Sequence, residues 1–422
     1  MAHVLVLTLV YPPDSVSTAQ IVGDLATDLR RLGHDVTVIT TTPHYNRDPE
    51  AEARQPLSRS WGRLVQRSMH GLVPVYHTWM PAKSRSVPAR LAAWCLFHAL
   101  SLVVGITRAR RVDAIIAPSP PLTTGIVAWL LGVWHRAPFI YNVQEVYPDI
   151  AINLGAIRNP TAIRALFALE RFVYARASHI TVIAERMRTR LLDKGVEAAR
   201  VSVVPNFIDP DSMQSVPAPN DFTREHGLDD RFIVTYAGNM GPAQGLDALL
   251  DAARLLADQP AIVLVLVGGG TSWEVLAARA RNEGIANVRM IEHQPFSRVP
   301  EIYGASHLSV VAQAAATGAD AVPSKVYRIM ACGRPILAIT EAGSDLAGLV
   351  ADADAGFVVP QNDARALASV IQHAHSHQEQ LERMGERGRR HVVAHYARAS
   401  ITARYDALIS AVCVSRRNRQ QG

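Results

Sequence analysis

Short apolar runs alternate with segments of helical periodicity along nearly the whole chain. The first run, Val4 to Val10, is followed by a predicted helix from Thr18 to Leu32, whose apolar positions fall at helical spacing: Ile21, Leu25, Leu29 and Leu32. Gly33 ends this helix, and Asp35 to Thr41 is the next predicted strand. Alternating strands and helices of this kind favour a mostly parallel, doubly wound sheet. The sequence therefore predicts an α/β protein.

The predicted strands fall into two sets, which a proline-rich segment from Pro205 to about Phe222 separates. The first set continues at Ala114 to Ala117, Phe139 to Val143, Ile180 to Ile183 and Val201 to Val204. The second set comprises Ile233 to Ala237, Ile262 to Val267, Val288 to Ile291, Leu308 to Ala312, Ile336 to Ile339 and Gly356 to Val359. Because 422 residues are too many for one ordinary core, we expect two Rossmann-like domains, 1–205 and 206–395, and a helical end at 396–422.

Composition and charge exclude several classes of protein. Hydrophobic residues make up 49% of the chain and charged residues 19%, which is a globular composition rather than a disordered one. The cysteines, Cys95, Cys332 and Cys413, have no CxxC spacing, so a reducing compartment is favoured over a disulfide framework or a zinc site. The net charge of +6 is spread along the chain apart from the tail Arg416 to Arg419. We expect no nucleic-acid partner, since no nucleic-acid module is evident, and no secretory signal, since none precedes the first strand.

One segment, Arg90 to Thr107, is strongly apolar and has arginines at both ends, at 85, 90, 108, 110 and 111. It is only marginally long enough to span a bilayer, and a predicted strand follows almost at once. The preferred interpretation is a buried helix of the first domain. A helix that lies on the membrane, with its basic flanks near anionic lipid, stays open as the alternative.

The segment Pro323 to Pro335 carries the most specific chemistry. Pro323 and Ser324 indicate a helix start, and Lys325 adds a full positive charge where the helix N-terminus has unpaired N–H groups. The glycine-bearing loop Gly238 to Gly245 lies earlier in the same half of the chain and permits close approach of a ligand. Together these features predict a site for a diphosphate, and so for a nucleotide-activated substrate. The predicted donor-binding residues here are Gly238, Asn239, Gly241, Gln244, Gly245, Ser324, Lys325 and Arg328.

A third glycine run, Gly268 to Gly270, ends another predicted strand of the second set. Gly268 and Gly269 could leave room for the substrate, or the run could be only a loose turn. Metal-binding patterns are weak, because the two Asp-x-Asp matches, at 209–211 and 352–354, lie away from the phosphate corner. HExxH, P-loop and GxSxG motifs do not occur in the sequence. We therefore expect no metal.

Strand ends in the first domain supply candidates for the second substrate. The first strand is not followed by GxGxxG, which disfavours an NAD or FAD enzyme. Ser17 and Thr18 stand there instead, where they could face a ligand or only cap the helix. A later strand ends at Gln144, Glu145 and Asp149. A carboxylate of Glu145 or Asp149 could orient or deprotonate a hydroxyl; for Asp149, capping of the next helix is the alternative.

With these residues in view, the chain resembles the family 4 retaining glycosyltransferases of the GT-B fold over nearly its whole length. The resemblance is carried by Arg31 to Ile39, Val204 to Asp209, Gly238 to Gly245 and Pro323 to Pro335. It is strongest to the branch that moves sugars, often amino sugars, onto lipid-linked or surface-polysaccharide acceptors. The resemblance implies two Rossmann-like domains that face each other across a cleft, with the C-terminal helix packing back across both.

The resemblance also implies a division of roles. The nucleotide sugar would bind mainly to the second domain and the acceptor to the first. Transfer would retain the anomeric configuration without a protein nucleophile, and usually without a metal or another cofactor. The leaving phosphate of the donor would accept the proton of the acceptor hydroxyl, while the protein holds both substrates and stabilises the departing diphosphate.

Several positions depart from the family pattern. Asn239 and Gln244 stand where an arginine and a lysine are usual, and the usual pair of glutamates falls on Asp320 and Arg328. Small residues near Ser17 and Thr18 replace a glycine pair, and an expected histidine falls on Gln144 or Glu145. The hypothesis that follows is that Lys325 has become the main cation for the diphosphate.

These observations lead to one preferred function. We expect a cytoplasmic glycosyltransferase of hexosyl or N-acetylhexosaminyl type, acting at the inner face of the cell membrane, with Glu145, Asp149 and Lys325 as catalytic residues. Its donor would be a UDP-sugar and its acceptor a lipid-linked, cell-surface or small-molecule hydroxyl compound. Two alternatives stay open, a sugar-nucleotide epimerase and a non-catalytic partner protein that binds nucleotide sugars.

Overall fold

The computed structural model describes residues 1–14, 16–44, 48–81, 87–153, 155–315 and 322–421. The chain divides into two compact units. The first unit contains Met1–Asn206 and Ala399–Gly422, and the second contains Phe207–Arg398. The chain thus passes from one unit to the other at the start of the predicted linker and returns near the start of its last helix.

A nine-stranded sheet forms the centre of the first unit. Its strands are β1 (His3–Leu7), β2 (Asp35–Thr41), β3 (Ser58–Trp61), β4 (Val65–His70), β5 (Val73–Thr78), β6 (Ala114–Ser119), β7 (Phe139–Val143), β8 (His179–Val182) and β9 (Val201–Val203). They lie in the order β3-β4-β5-β2-β1-β6-β7-β8-β9. All neighbours are parallel except β3–β4 and β4–β5, which are antiparallel. The sequence pattern missed β3 to β5. Strands β3 and β4 are rich in polar residues, and the apolar positions of β5 are interrupted by Pro74 and end at His77.

The helices of the first unit are α1 (Ser17–Arg31), α2 (Pro49–Arg54), α3 (Val87–Arg108), α4 (Thr124–His135), α5 (Asp149–Asn153), α6 (Pro160–Arg176), α7 (Glu185–Asp193) and α16 (Arg398–Gln421). The last helix is held to this unit by polar contacts. His34 Nε2 lies 2.8 Å from Asp406 Oδ1, and Asn142 Nδ2 donates to the Tyr405 hydroxyl at 2.9 Å. These bonds join α16 to the start of β2 and to β7.

The second unit is built on a six-stranded sheet in which all neighbours are parallel. Its strands are β10 (Phe232–Asn239), β11 (Ile262–Gly269), β12 (Val288–Ile291), β13 (Leu308–Ala312), β14 (Ile336–Ile339) and β15 (Gly356–Val359), in the order β12-β11-β10-β13-β14-β15. Its helices are α8 (Asp221–His226), α9 (Asp247–Leu255), α10 (Trp273–Asn282), α11 (Val299–Ala305), α12 (Lys325–Ala331), α13 (Asp345–Asp352), α14 (Ala364–Ser376) and α15 (Gln378–His395). Strand order reverses at β10 and β13, where the carboxyl ends of parallel strands offer room for a ligand.

Helix α3 differs from the preferred expectation. Only 22% of its window from Leu91 to Arg108 is buried, so the expectation of a buried helix is wrong for its outer face. In the part of the chain that the structure describes, this is the one helix that is long and apolar enough to cross a membrane. The apolar pattern of a segment does not tell which of its faces the rest of the fold will cover.

Candidate active site

Two glycine loops lie side by side at the carboxyl edge of the second sheet. Strands β10 and β11 pair so that Gly238 stands opposite Gly268. A Cβ on Gly268 would lie 2.0 Å from the carbonyl oxygen of Gly238, and a Cβ on Gly270 would lie 2.4 Å from that of Met240. Both glycines also have a φ near +140° (Gly268 +142°, Gly270 +140°), which L side chains rarely adopt. Gly268 and Gly270 are therefore required by the close approach of the two loops, whereas a Cβ on Gly269 would meet nothing within 4 Å.

Lys325 lies against the first of these loops. Its ammonium is 3.9 Å from the centroid of the Tyr236 ring, and a Cβ on Gly238 would lie 2.7 Å from its Nζ atom. Tyr236 and Gly238 are two residues apart on β10 and so present the same face, which the lysine covers. The start of α12 and the end of β10 thus meet at one point, and the structure brings together the two features from which the sequence predicted a diphosphate site.

The environment of Lys325 disfavours the protonated, charged form of its side chain. Burial lowers the pKa of its ammonium to about 7, and the positive charge of Arg328 acts in the same direction. An anion placed beside the ammonium would favour its protonated form and raise its pKa again. The Arg328 guanidinium stands 4.9 Å from the centroid of the Phe296 ring, one turn further along α12. This corner therefore gains stability from a negatively charged ligand.

Ser324 precedes α12 as its N-cap residue but makes no side-chain capping bond. Its backbone is already helical, with φ −58° and ψ −20°. The first N–H groups of a helix have no intrahelical partner. At this helix start the Val326 N–H is already bonded to the Pro323 carbonyl oxygen at 3.0 Å, and the donor contact predicted for Ser324 stays a prediction.

The polar side chains of the first loop bond to each other. Gln244 Oε1 accepts the backbone N–H of Gly241 at 2.9 Å and the Asn239 amide at 3.4 Å. Gly245 then turns the chain with φ +60° beside Ala314. Asn239 and Gln244 thus shape the loop as neutral groups. Asp320, which was also predicted to contact the donor, lies outside the described residues.

In the first unit, Gln144 belongs to a hydrogen-bonded network at the end of β7. Its Nε2 donates to Asn142 Oδ1 at 2.6 Å, and its Oε1 accepts from Asn206 Nδ2 at 2.9 Å. Asn142 in turn donates to Tyr405 of α16 and to Thr181. Both ends of the Gln144 amide are therefore bonded and fix the loop that follows β7. This structural role is additional to the acceptor contact predicted for Gln144.

Glu145 and Asp149 stand in different surroundings although they share that loop. Glu145 keeps an exposed surface and makes no hydrogen bond or ion pair with the described residues. The protein around its carboxyl nevertheless removes part of the surrounding water and raises its pKa. Asp149 is bonded to Lys194, which also contacts Glu170 at 2.6 Å, and its other oxygen lies 3.8 Å from Arg190. Of the two carboxylates, Glu145 is the one without a protein partner among the described residues, and Asp149 joins α5 to α6 and α7.

Ser17 and Thr18 open the first helix of the chain. The helix begins at Ser17, and its N-cap residue, Val16, has no side-chain oxygen to cap it. Both hydroxyl residues lie in the first turn, where N–H groups have no intrahelical partner. Nearby, the buried carboxylate of Asp14 accepts the His44 N–H at 3.1 Å, a contact that sequence reasoning did not foresee because the two residues are far apart in the chain.

Comparison with known proteins identifies the family. The family described as "Glycosyl transferase 4-like domain" matches residues 18–206, and "Glycosyl transferases group 1" matches residues 220–391. The chain belongs to the family 4 glycosyltransferases. It is an enzyme family with two Rossmann-like α/β domains, so the predictions of family, fold class and enzyme class are confirmed.

Individual relatives of this glycosyltransferase are distant. The putative colanic acid biosynthesis glycosyl transferase WcaI of Escherichia coli K12 is 27% identical over 356 residues, which are 82% of this chain and 85% of WcaI. The probable glycosyltransferase WbjE of Pseudomonas aeruginosa is 25% identical over 283 residues, 65% of this chain and 70% of WbjE.

Solved structures share the fold at still lower identity. HepE of Anabaena, solved with UDP and glucose, has a TM-score of 0.74 at 16% identity, over 97% of this chain and 100% of HepE. Sucrose-phosphate synthase of Thermosynechococcus elongatus has a TM-score of 0.71 at 18% identity, over 98% of this chain and 100% of that one. At this identity the likeness establishes the GT-B fold and leaves the substrates to chemical argument.

Proposed function

We propose that this glycosyltransferase moves a hexosyl or N-acetylhexosaminyl group from a UDP-sugar to a hydroxyl of a lipid-linked or cell-surface glycan precursor, with retention of the anomeric configuration. The second unit binds the donor and the first unit binds the acceptor. The relatives support a role in polysaccharide assembly, because WcaI is named for colanic acid biosynthesis. HepE supports the choice of donor, since it has been solved with UDP and with UDP-glucose.

The observation that carries the proposal is the meeting of Lys325 with Gly238 at the edge of the second sheet. The glycine lets the Lys325 ammonium lie against the backbone, since a Cβ there would come within 2.7 Å of Nζ, and the ammonium stands 3.9 Å from the centroid of the Tyr236 ring. A diphosphate in this corner would accept hydrogen bonds from Lys325 and from the N–H groups that begin α12. No carboxylate is described in ion-pair contact with Lys325, so an anionic ligand would be its first counter-charge among the described residues.

The chemistry follows from charge that develops on the leaving group. As the bond from the sugar to the diphosphate breaks, the oxygen of the departing phosphate gains negative charge, which Lys325 and Arg328 stabilise. The acceptor hydroxyl attacks the same face of the sugar and gives its proton to that phosphate oxygen. Glu145 orients the hydroxyl by accepting a hydrogen bond from it, and the Gln144 network holds the loop that carries Glu145.

A lipid-linked acceptor would place the enzyme at the cytoplasmic face of a membrane, and helices α3 and α4 support that location. The outward side of α3 holds Ala92, Cys95, Ala99 and Val103, without a charged residue between Leu91 and Thr107. A surface helix of a water-soluble protein normally carries polar residues on that side. Here an apolar side is left uncovered by the described chain.

Helix α4 extends the same apolar surface. A Cβ on Gly105 of α3 would lie 2.5 Å from Leu131 of α4, which shows how closely the two helices pack. Val133 and Trp134 at the end of α4 are 62% and 63% exposed. Exposed arginines stand at the ends of both helices: Arg108, Arg110, Arg111 and Arg136. Apolar side chains, a tryptophan and flanking arginines fit a bilayer with anionic headgroups, and we name this set of residues the α3–α4 surface.

A screen of nucleotide sugars by thermal shift tests the donor assignment. A ligand present at about 100 times its dissociation constant stabilises the folded protein by about 2.7 kcal/mol, which such a screen detects. We expect UDP and one UDP-sugar to shift the transition, and the same UDP-sugar to be consumed when a polyprenyl-diphosphate-linked glycan is added. Stabilisation by a GDP- or ADP-sugar alone would overturn the UDP assignment. Conversion of the donor without an acceptor would favour the epimerase.

A further inference from the structure

A polar cavity lies in the second unit at the amino ends of the strands, whereas the glycine loops lie at their carboxyl ends. Its volume is about 650 Å³, within the range of small-molecule sites. His307 and Pro335, which immediately precede β13 and β14, line it together with Arg334 and with Arg389 of α15. Because these residues mark the amino ends of the strands, the cavity is separate from the proposed donor site.

The cavity contains two half-buried guanidinium groups. Arg334 Nη2 donates to the Gly304 carbonyl at 2.6 Å, and Arg389 donates to the carbonyls of Ala331 and Pro210. Two guanidinium groups carry ten N–H donors in all, and these three bonds leave most of them without a protein acceptor among the described residues. Neither arginine forms an ion pair with a described carboxylate, and the Nε of Arg334 is enclosed without any partner. The charge of Glu382 acts on Arg334 without forming an ion pair with it. Half-buried cations that no carboxylate contacts directly favour an anionic ligand, above all a phosphate, which a guanidinium can bind through two parallel hydrogen bonds.

The rim of the cavity has a different chemistry. It is formed by exposed acceptors and amides, among them Glu382, Glu386, Gln214 and Gln378. Carboxylates repel a bare anion but accept hydrogen bonds from hydroxyl groups. A floor of arginines under a rim of carboxylates and amides therefore suits a molecule with a phosphate at one end and hydroxyl groups at the other.

We propose that this cavity, the Arg334 pocket, binds a phosphorylated sugar as an effector. Arg334 and Arg389 bind its phosphate, and Glu382 and Glu386 accept hydrogen bonds from its hydroxyl groups. Helix α12 links the pocket to the donor corner, because Lys325 begins this helix and Cys332, which follows its last residue, lines the pocket. Seven residues of helix span about 10 Å, so the occupant would touch the far end of the element that carries Lys325.

Calorimetry with glucose 6-phosphate and with inorganic phosphate tests this proposal on the full chain. UDP is kept at saturation so that the donor corner is filled, and the titrations are repeated in Lys325→Ala, so that a failure of the donor assignment does not decide the outcome. We expect glucose 6-phosphate to bind both proteins, and Arg334→Gln and Arg389→Gln to weaken it by about tenfold or more. The matched control is Arg383→Gln, on the same helix as Arg389 but 61% exposed and paired with Glu379.

Further variants separate the parts of the proposal. Glu382→Gln, at the exposed rim, should weaken the binding of glucose 6-phosphate relative to that of inorganic phosphate, because it removes a hydroxyl acceptor and also relieves the repulsion of the anion. If inorganic phosphate binds as tightly as glucose 6-phosphate, the sugar assignment is overturned. If neither binds, or if Arg334→Gln and Arg389→Gln bind like Arg383→Gln, the pocket assignment is overturned. Saturation of the pocket should change the affinity for UDP by about fivefold or more in the wild type, and an unchanged UDP affinity would overturn the effector role.

Discussion

The ammonium of Lys325 stands 3.9 Å over the ring of Tyr236, at the end of the strand that carries Gly238. This contact joins a helix start to a glycine loop that precedes it by more than eighty residues in the sequence. A cation–π contact holds the lysine in place when no ligand is bound, and the same ammonium can turn to a phosphate when one is present. The proposal that Lys325 is the main cation for the donor diphosphate rests on this contact.

Replacement of Lys325 should strongly weaken the binding of the donor. A charge-assisted hydrogen bond contributes about 1.5–3 kcal/mol, so Lys325→Met should raise the dissociation constant for UDP by about 10- to 100-fold. Arg328→Met is the matched comparison, since its guanidinium lies on the same helix against Phe296. We expect Arg328→Met to raise the dissociation constant for UDP by a smaller factor than Lys325→Met does. Calorimetric titration with UDP measures both, and near-native affinity in Lys325→Met would refute the idea that this lysine is the main diphosphate cation.

Donor affinity should also depend on pH. The pKa of Lys325 is lowered to about 7, so in the free protein the ammonium is charged below pH 7 and loses its proton above it. A bound diphosphate stabilises the charged form and raises that pKa, so UDP binding becomes weaker as the pH rises above 7. Up to the pKa of the complex, the dissociation constant should rise by about tenfold per pH unit. Lys325→Arg, which keeps its charge, should lose this dependence, and titrations between pH 6 and pH 9 would show the two curves diverge.

The glycine loops predict a contrast between neighbouring residues. A Cβ on Gly268 would lie 2.0 Å from a backbone oxygen and the residue has a φ of +142°, whereas a Cβ on Gly269 would meet nothing within 4 Å. Gly268→Ala should therefore lower the free energy of unfolding by about 1–3 kcal/mol or more. It should also weaken the binding of UDP. Gly269→Ala should leave the free energy of unfolding unchanged. Chemical denaturation compares the pair, and equal stabilities would mean that the loops do not pack as described.

Substitution of the two carboxylates after β7 should affect different quantities, turnover for Glu145 and the free energy of unfolding for Asp149. Glu145→Gln should lower the rate of sugar transfer by about 100-fold, because it removes the group that orients the acceptor, and should leave UDP affinity and stability unchanged. Asp149→Asn should instead lower the free energy of unfolding by about 1 kcal/mol, because Lys194 loses one of its two carboxylate partners and keeps only Glu170. Steady-state kinetics and denaturation of both variants test this. Loss of turnover at full stability in Asp149→Asn would restore Asp149 as a catalytic residue.

The sequence predicts the helices and strands of this protein better than the contacts between them or the exposure of their faces. The strands around Gly238 and Gly268 and the start of α12 at Lys325 follow from local patterns of apolar residues, glycines and a proline. The bond of Gln144 to Asn206, 62 positions away, and the link from Asn142 to Tyr405 depend on the path of the chain between them. Strands β3 and β4 lack a continuous apolar run, and the exposure of α3 depends on what its neighbours leave uncovered. Local periodicity carries no information on either point.

The α3–α4 surface should bind anionic vesicles. Its exposed valines and Trp134 would enter the headgroup region, while each nearby arginine adds about 1 kcal/mol of attraction to anionic lipid. We expect the wild type to sediment with vesicles that contain phosphatidylglycerol, less with pure phosphatidylcholine, and less again at high salt. The double variant Val103→Glu/Val133→Glu should stay in the supernatant.

A matched control is Val275→Glu on α10 of the second unit, where the valine is 65% exposed and far in sequence from this surface. It should sediment like the wild type and transfer sugar to a short, water-soluble acceptor at the same rate as the α3–α4 double variant. That equality would show that the membrane surface is separate from the chemistry. If the wild type fails to sediment, or if Val103→Glu/Val133→Glu sediments as the control does, the apolar side of α3 is covered by something other than a bilayer, and the location at the membrane has to be abandoned.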